Sequence, residues 1–329
     1  MKRRYKVLIG VAVFLVLLAA VFCWIFFGKQ PIQENVVQAG AVDWMAKVDG
    51  SRKLSAVNLP GTHDSCAWNS DFAYFSQCQS ADIATQLNMG IRYMDIRINL
   101  NDDETQLVMT HSIAVCREGS RPLGKVLTFE KVLSDCYVFL NAHPTETVVF
   151  CVKPEGEPSV CKALLFDAIA ANKELWYTKN EIPTLDEARG KIVLASRFSG
   201  EGGADEGLRF LWEEQDNTDL MADPFSVSPV NEVQSLYVQD RYCYGLEDKW
   251  QSIAYGLEEK AKTIDLNENV SLLFLSTKGT GKLGHPYKYA KEINPRLMEK
   301  TLNAGESYGW IIMDFARPEL VKKIIETNI

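Results

Sequence analysis

Residues 148–155 read Val-Val-Phe-Cys-Val-Lys-Pro-Glu, five apolar side chains without interruption and then a lysine, a proline and a glutamate. A run this short and rich in valine, with no polar alternation, suits a strand covered on both faces, as in a parallel sheet. Seven further segments have the same form: NLPGTHDS (58–65), YMDIR (93–97), LVMTHS (107–112), IVLASRF (192–198), LYVQDRY (236–242), LLFLSTK (272–278) and WIIMDFAR (310–317). Strands are expected near 54–60, 91–97, 107–111, 147–153, 191–197, 235–240, 271–276 and 310–315. Helical patterns at 81–89, 128–142, 160–172, 249–266 and 295–304 fit between most of them, and Asn88-Met89-Gly90 gives the first a glycine stop. This alternation predicts an α/β fold, a (β/α)8 barrel of the TIM type, whose chemistry gathers at the C-terminal ends of the strands. Only a turn around Asn101-Asp102-Asp103 separates the second and third runs, so the barrel is expected to be irregular.

Val7 to Phe27 is an uncharged run of 21 residues, long enough at 1.5 Å per residue to cross the ~30 Å core of a bilayer. Lys2, Arg3, Arg4 and Lys6 precede it, which by the positive-inside rule puts residues 1–6 in the cytoplasm and the rest of the chain outside. Ala39-Gly40-Ala41 has the form of a signal-peptidase site, so a secreted product cleaved at Ala41 is the rival to a retained anchor. The cleavage site lies far from the end of the apolar run, which favours the anchor. Residues 28–43 then form a linker, and residues 44–329 have a normal length for one catalytic barrel.

The first 30 residues hold five Lys or Arg and no acid, leaving 30 basic against 43 acidic residues beyond them, a net charge of −13. Such a domain is a poor nucleic-acid binder. It also lacks bulk attraction to anionic membranes, which makes a tether useful if the substrate is a lipid. Seven cysteines lie outside the anchor, with no spacing typical of a zinc site. Cys66 with Cys78, or Cys116 with Cys136, could close loops; buried free thiols are the other reading.

Two of the four histidines, His63 and His111, follow apolar runs, and Arg97, Asp64, Asp95 and Asp314 share those strand ends. A facing pair of imidazoles can divide general base from general acid, since histidine titrates near working pH. A guanidinium can grip two oxygens of one phosphate. Together these predict phosphodiester cleavage without a metal or other cofactor. A competing reading makes His63, Asp64, Asp95 and Asp314 ligands of a divalent ion, but Arg97, two positions beyond Asp95 on the same strand face, would repel it. The glycine-rich acidic stretch Ser199–Asp219 reads first as a solvated loop and second as a rim of the mouth. Trp68, Phe72, Tyr74 and Phe75 read equally as core or as interfacial aromatics.

LPGTHDS, GIRYMDIR, THS, ETVVFCVKPE, ARGKIVLASRFSG, VQDRY, PYKYAKEINP and GWIIMDF occur in this order from Leu59 to Phe315. The series resembles the bacterial phosphatidylinositol-specific phospholipases C. The resemblance implies that His63 is the base that deprotonates the inositol 2-hydroxyl and His111 the acid that protonates the diacylglycerol oxygen. It makes Arg97 the phosphate ligand, Asp314 the carboxylate orienting the base, Asp64 the partner of acid and arginine, and Asp95 a supporting aspartate. Lys153, Arg197, Asp240 and Tyr242 match positions that bind inositol. The expected partner is phosphatidylinositol in membranes, with glycosyl-phosphatidylinositol anchors a further candidate set by the rim loops, and the expected state is a monomer. Where some secreted relatives carry an interfacial tryptophan, around Thr277–Tyr287, this chain has Leu283. Two other readings are a metal-dependent glycerophosphodiester phosphodiesterase and a non-catalytic inositol-lipid binder.

Overall fold

The computed structural model of the protein describes residues 2–28, 30–31, 40–120, 124–200 and 203–329. Most of the linker and Ala39 of the candidate cleavage site lie outside the described residues. The first helix, α1 (Lys2–Phe27), contains the apolar run, and its stretch Arg4–Phe26 is long and apolar enough to cross a membrane.

The strands that follow are β1 (Pro60–Thr62), β2 (Tyr93–Leu100), β3 (Leu107–His111), β4 (Ala114–Val115), β5 (Val148–Pro154) and β6 (Trp176–Tyr177). Beyond them come β7 (Ile192–Ser196), β8 (Leu208–Arg209), β9 (Ser226–Pro229), β10 (Ser235–Gln239), β11 (Val270–Phe274) and β12 (Trp310–Met313). The remaining helices are α2 (Ala73–Ser76), α3 (Ile83–Met89), α4 (Phe129–Ala142), α5 (Pro158–Ala170), α6 (Leu185–Ala188), α7 (Leu246–Glu258), α8 (Pro286–Glu299) and α9 (Pro318–Ile325).

Neighbours in the order β6-β7-β5-β2-β1-β12-β11-β10 are all parallel and curl into a TIM-like barrel; β9 adds one antiparallel strand to β10. The runs predicted from uninterrupted apolar residues are buried throughout in β7, β11 and β12, as strands covered on both sides must be. The ring is not closed by backbone pairing: among the described residues no ladder joins β7 or β8 to β9 or β10. Residues 210–215 cross this gap: Phe210 N donates to Ser196 O of β7 at 2.9 Å, while the Gln215 side chain donates to Val238 O at 3.0 Å and Ser226 Oγ at 2.8 Å and accepts from Asp240 N at 2.9 Å.

The third predicted strand departs from the ring. β3 pairs antiparallel with the outer end of β2, Leu107 opposite Leu100 and Met109 opposite Ile98. The six residues between them suffice for a hairpin but not for a parallel crossover, which needs a dozen or more. β3 is thus an arm that carries His111 back over the mouth. The helix expected from Pro295 instead starts at Pro286, where a missing N–H costs nothing, and carries Pro295 in its interior. At the other end of the barrel, fully buried Arg92 and Glu146 pair through two guanidinium nitrogens at 2.8 and 3.0 Å, and Glu146 also accepts from Met45 N.

Candidate active site

β1 ends at Thr62, and His63 N donates to Met313 O at 3.0 Å, so the first histidine leaves the sheet beside the end of β12. The chain then turns sharply: Asp64 takes φ 41°, while Ser112 and Phe315, which follow His111 and Asp314, take φ 54° and 48°. A left-handed conformation costs a non-glycine residue about 1–2 kcal/mol. Three such positions at three strand ends fit the storage of strain at a functional site, because each turn aims a polar side chain across the mouth.

His63 Nδ1 lies 2.9 Å from Asp314 Oδ1; a carboxylate only accepts, so this nitrogen carries a proton. His111 Nδ1 donates in the same way to the carbonyl of Ser76 at 2.7 Å. Both Nε2 atoms therefore face inward, and both approach one oxygen, Asp64 Oδ2, at 3.2 and 3.3 Å. The two rings stand 6.3 Å apart between centroids. Arg97, on the same face of β2 as Asp95, donates through Nε and Nη2 to the two Asp95 oxygens at 3.0 and 2.9 Å, and its Nε lies 3.4 Å from Asp64 Oδ1. Asp95 is fully buried and also receives Asp64 N at 3.2 Å. Asp64 Oδ1 is buried and makes no hydrogen bond among the described residues, its one close partner being the Arg97 guanidinium.

Burial works against a charged His63, but the Asp64 and Asp314 carboxylates outweigh it and raise its pKa to about 9. Because the shift is upward, the stability it contributes is fully present below pH 6.5 and drains as pH rises through about 9. Burial would raise Asp64, yet His111, His63 and Arg97 hold it well below the usual carboxylate range. Arg97 likewise lowers Asp95 against its desolvation. Asp314 is one source of the rise at His63, so Asp314→Asn will move the acid limb of the kcat/KM profile to lower pH. It will also cost roughly 10²-fold in kcat, since an amide no longer imposes the tautomer. An acid limb that stays in place would show that His63 is not the titrating base.

Opposite the histidines, Lys153, Arg197, Asp240 and Tyr242 line the same cavity of about 680 Å³, a size suited to a small polar headgroup. Two residues that the motifs left unassigned, Glu155 and Glu214, line it as well, and a third, Trp212, packs behind it. Trp212 carries the Arg197 guanidinium 3.6 Å above its ring and donates Nε1–H to Asp240 at 3.3 Å. Glu214 accepts from Tyr242 OH at 3.0 Å and lies 3.5 Å from Lys153 Nζ, and Glu155 accepts from Arg97 Nη1 at 3.2 Å. Trp212 and Glu214 belong to the acidic stretch whose first reading was a solvated loop; the rim reading holds instead. Glu155 ends the run Val148–Glu155, and that strand-end position is its only signal in the sequence. Beneath the wall, fully buried Lys249 donates to Gln239 at 2.7 Å, and desolvation lowers its pKa to about 7 despite nearby Asp240 and Asp314.

The aromatic segment after His63 divides. Trp68 is core, whereas Phe72 and Phe75 line the cavity with Leu283 and Ile113, the last two 73% and 85% exposed. All seven cysteines outside α1 are buried free thiols. Cys78 Sγ lies 3.7 Å from His111 Nδ1 and 3.9 Å from Asp64 Oδ2. His63, Asp64 and Asp95 could offer three ligand atoms within 4.8 Å, as could His63 or His111 with Cys78 and an aspartate. The guanidinium of Arg97 already neutralises Asp95 and Asp64, so for the first set a cation would have to displace it.

The family described as "Phosphatidylinositol-specific phospholipase C, X domain" matches residues 60–198. The chain is 30% identical over 312 residues to a 1-phosphatidylinositol phosphodiesterase of Staphylococcus aureus, covering 87% of this chain and 94% of that protein. It is 26% identical over 322 residues to the Listeria monocytogenes protein of the same name, covering 91% and 88%. A crystal structure of the Staphylococcus aureus phosphatidylinositol-specific phospholipase C superposes with TM-score 0.72 at 26% identity, over 88% of this chain and 98% of that one. With the series of motifs in order across the barrel, the chain belongs to the bacterial phosphatidylinositol-specific phospholipase C family.

Proposed function

We propose that the protein cleaves phosphatidylinositol with His63 as base and His111 as acid, on a barrel held at the membrane by α1. With the headgroup between the imidazoles, His63 Nε2 takes the proton of the inositol 2-hydroxyl, whose oxygen attacks the neighbouring phosphorus. His111 Nε2–H protonates the diacylglycerol oxygen as the P–O bond breaks, leaving diacylglycerol and inositol 1,2-cyclic phosphate. An internal nucleophile is already positioned, so no serine is required. The histidines then exchange roles for the slow hydrolysis of the cyclic ester by water. Arg97 meets the charge that grows on the phosphoryl oxygens, and the opposite wall of Lys153, Arg197, Asp240 and Tyr242 holds the polyol.

The observation that carries this reading is the pair of inward-facing Nε2 atoms on rings 6.3 Å apart, with the Arg97 fork beside them. A receptor that only bound inositol lipids would need neither proton-transfer group. Retention of α1 is supported by the basic residues before it and by a rim whose exposed Leu283 and Ile113 offer little wedging area.

Phosphorus NMR of the full chain in detergent, given phosphatidylinositol and excess chelator, tests the chemistry. The expected product sequence is cyclic phosphate first and the open monophosphate later. Activity lost with the chelator and restored by a divalent ion would favour the metal-dependent phosphodiesterase, and binding without turnover would favour the receptor.

A further inference from the structure

The end of α1 does not simply lead away from the barrel. Its Trp24 ring lies 4.0 Å from Tyr74, and Phe26 lies 4.3 Å from Phe72. Past the helix, Gln30 N donates to Gln77 Oε1 at 2.7 Å and Gln77 Nε2 donates back to Gln30 O at 3.2 Å. None of the membrane-length window of α1 is buried, so the helix meets the domain by its last turn and the residues just after it. All three partners, Phe72, Tyr74 and Gln77, belong to α2 or flank it.

α2 is a single turn of four residues, far below the length at which a helix holds itself, and it opens on Phe72 with φ 55°. Its conformation therefore depends on what packs against it. On one side His285 stacks on Tyr74 at 4.0 Å and donates Nδ1–H to the Tyr74 carbonyl at 2.7 Å. On the other side is the anchor. The last residue of α2, Ser76, supplies the carbonyl that fixes the tautomer of His111, so any movement of this turn moves the imidazole. The Phe72 and Phe75 side chains meanwhile face the cavity.

We infer that the membrane-proximal end of α1 is a positioning element: seated on α2, it braces the turn that aims His111 at the leaving-group oxygen. The inference rests on the retained anchor and on His111 as the acid. It makes the catalytic step depend on the tether itself, beyond any gain in access to lipid, and it sets the mouth beside the point where the chain leaves the bilayer. A released domain would bind headgroup as before and protonate the leaving group less well.

The test uses the full chain in lipid-free detergent with two monomeric substrates, a short-chain phosphatidylinositol and an inositol phosphodiester with a nitrophenolate leaving group. The phenolate departs without a general acid, so His111→Ala should be far slower on the first substrate and little changed on the second. Trp24→Ala/Phe26→Ala and Gln77→Ala should lose about tenfold in kcat on the alkyl ester, with KM within twofold, and retain the aryl activity. Equal losses on both substrates, or none, overturn the bracing. The intact mass of the protein extracted from cells separates the remaining failures. A chain starting beyond Ala41 removes the anchor reading and the brace with it, whereas a retained N-terminus with neutral substitutions leaves the anchor and removes the brace alone. If His111→Ala suffers equally on both substrates, the assignment of the acid fails first.

Discussion

Replacing His63 by alanine will lower kcat on phosphatidylinositol about 10³-fold while changing KM only a few fold, the range expected when a positioned general base is lost. Nothing near it can take over. Asp64 is held well below the normal carboxylate range by His111, His63 and Arg97, so it is a poor proton acceptor, and Asp314 is placed against Nδ1, the side of the ring away from the nitrogen that takes the proton. The hydrolysis of added cyclic phosphate should fall in parallel, because that step returns a proton through the same nitrogen. Removing the imidazole leaves Asp64 with His111 and Arg97 as partners but takes from buried Asp314 the nitrogen that its carboxylate accepts from, so a thermal melt is read beside the kinetics to show that the fold persists. A variant that keeps more than a tenth of the activity would exclude His63 as the base.

Much of this site could be read from the sequence because it sits where apolar runs stop. His63, Arg197, Asp240 and Asp314 each follow a strand directly, Arg97 and Lys153 lie in the C-terminal halves of β2 and β5, and a barrel brings strand ends together whatever lies between them. His111 reaches the mouth by a different geometry from the ring strand expected of its run: it sits on a hairpin arm that places the imidazole 6.3 Å from that of His63. What the sequence hid is what tertiary closure decides. Glu214 reaches the cavity and Trp212 packs behind it because residues 210–215 are pinned to β7 by Phe210 and to β10 by Gln215, and no periodicity encodes that. The Ser76 carbonyl that sets the His111 tautomer is backbone, which no residue type announces. α8 starts nine residues before the expected 295, at Pro286, and holds Pro295 in its interior, where a helical proline is not anticipated.

Arg97 occupies the place between Asp95 and Asp64 that a cation would take, and its pairing sets the second large effect. Arg97 neutralises a carboxylate pair, Asp95 and Asp64, while keeping its planar fork at the edge of the cavity. Arg97→Lys retains the positive charge but loses two-point contact, both to Asp95 and to a phosphate. The expected result is a fall in kcat/KM of about 10²–10³-fold, mostly in kcat, with stability close to that of the parent. Arg97→Ala should differ in kind. It strands fully buried Asp95 without its counter-ion, an effect of about 3–5 kcal/mol when one partner of a buried pair is removed. The sign of its pH dependence follows from the same pair. Arg97 lowers Asp95 below its unfolded value, so this contribution is present above the usual carboxylate pKa and is lost as pH falls. The alanine variant should therefore be most destabilised near neutral pH and approach the parent in acid, where Asp95 is protonated in both. Thermal melts across pH, set beside kcat/KM for the two variants, separate the roles. A lysine variant within threefold of the parent would show that charge alone suffices and that the fork does not hold the phosphoryl oxygens.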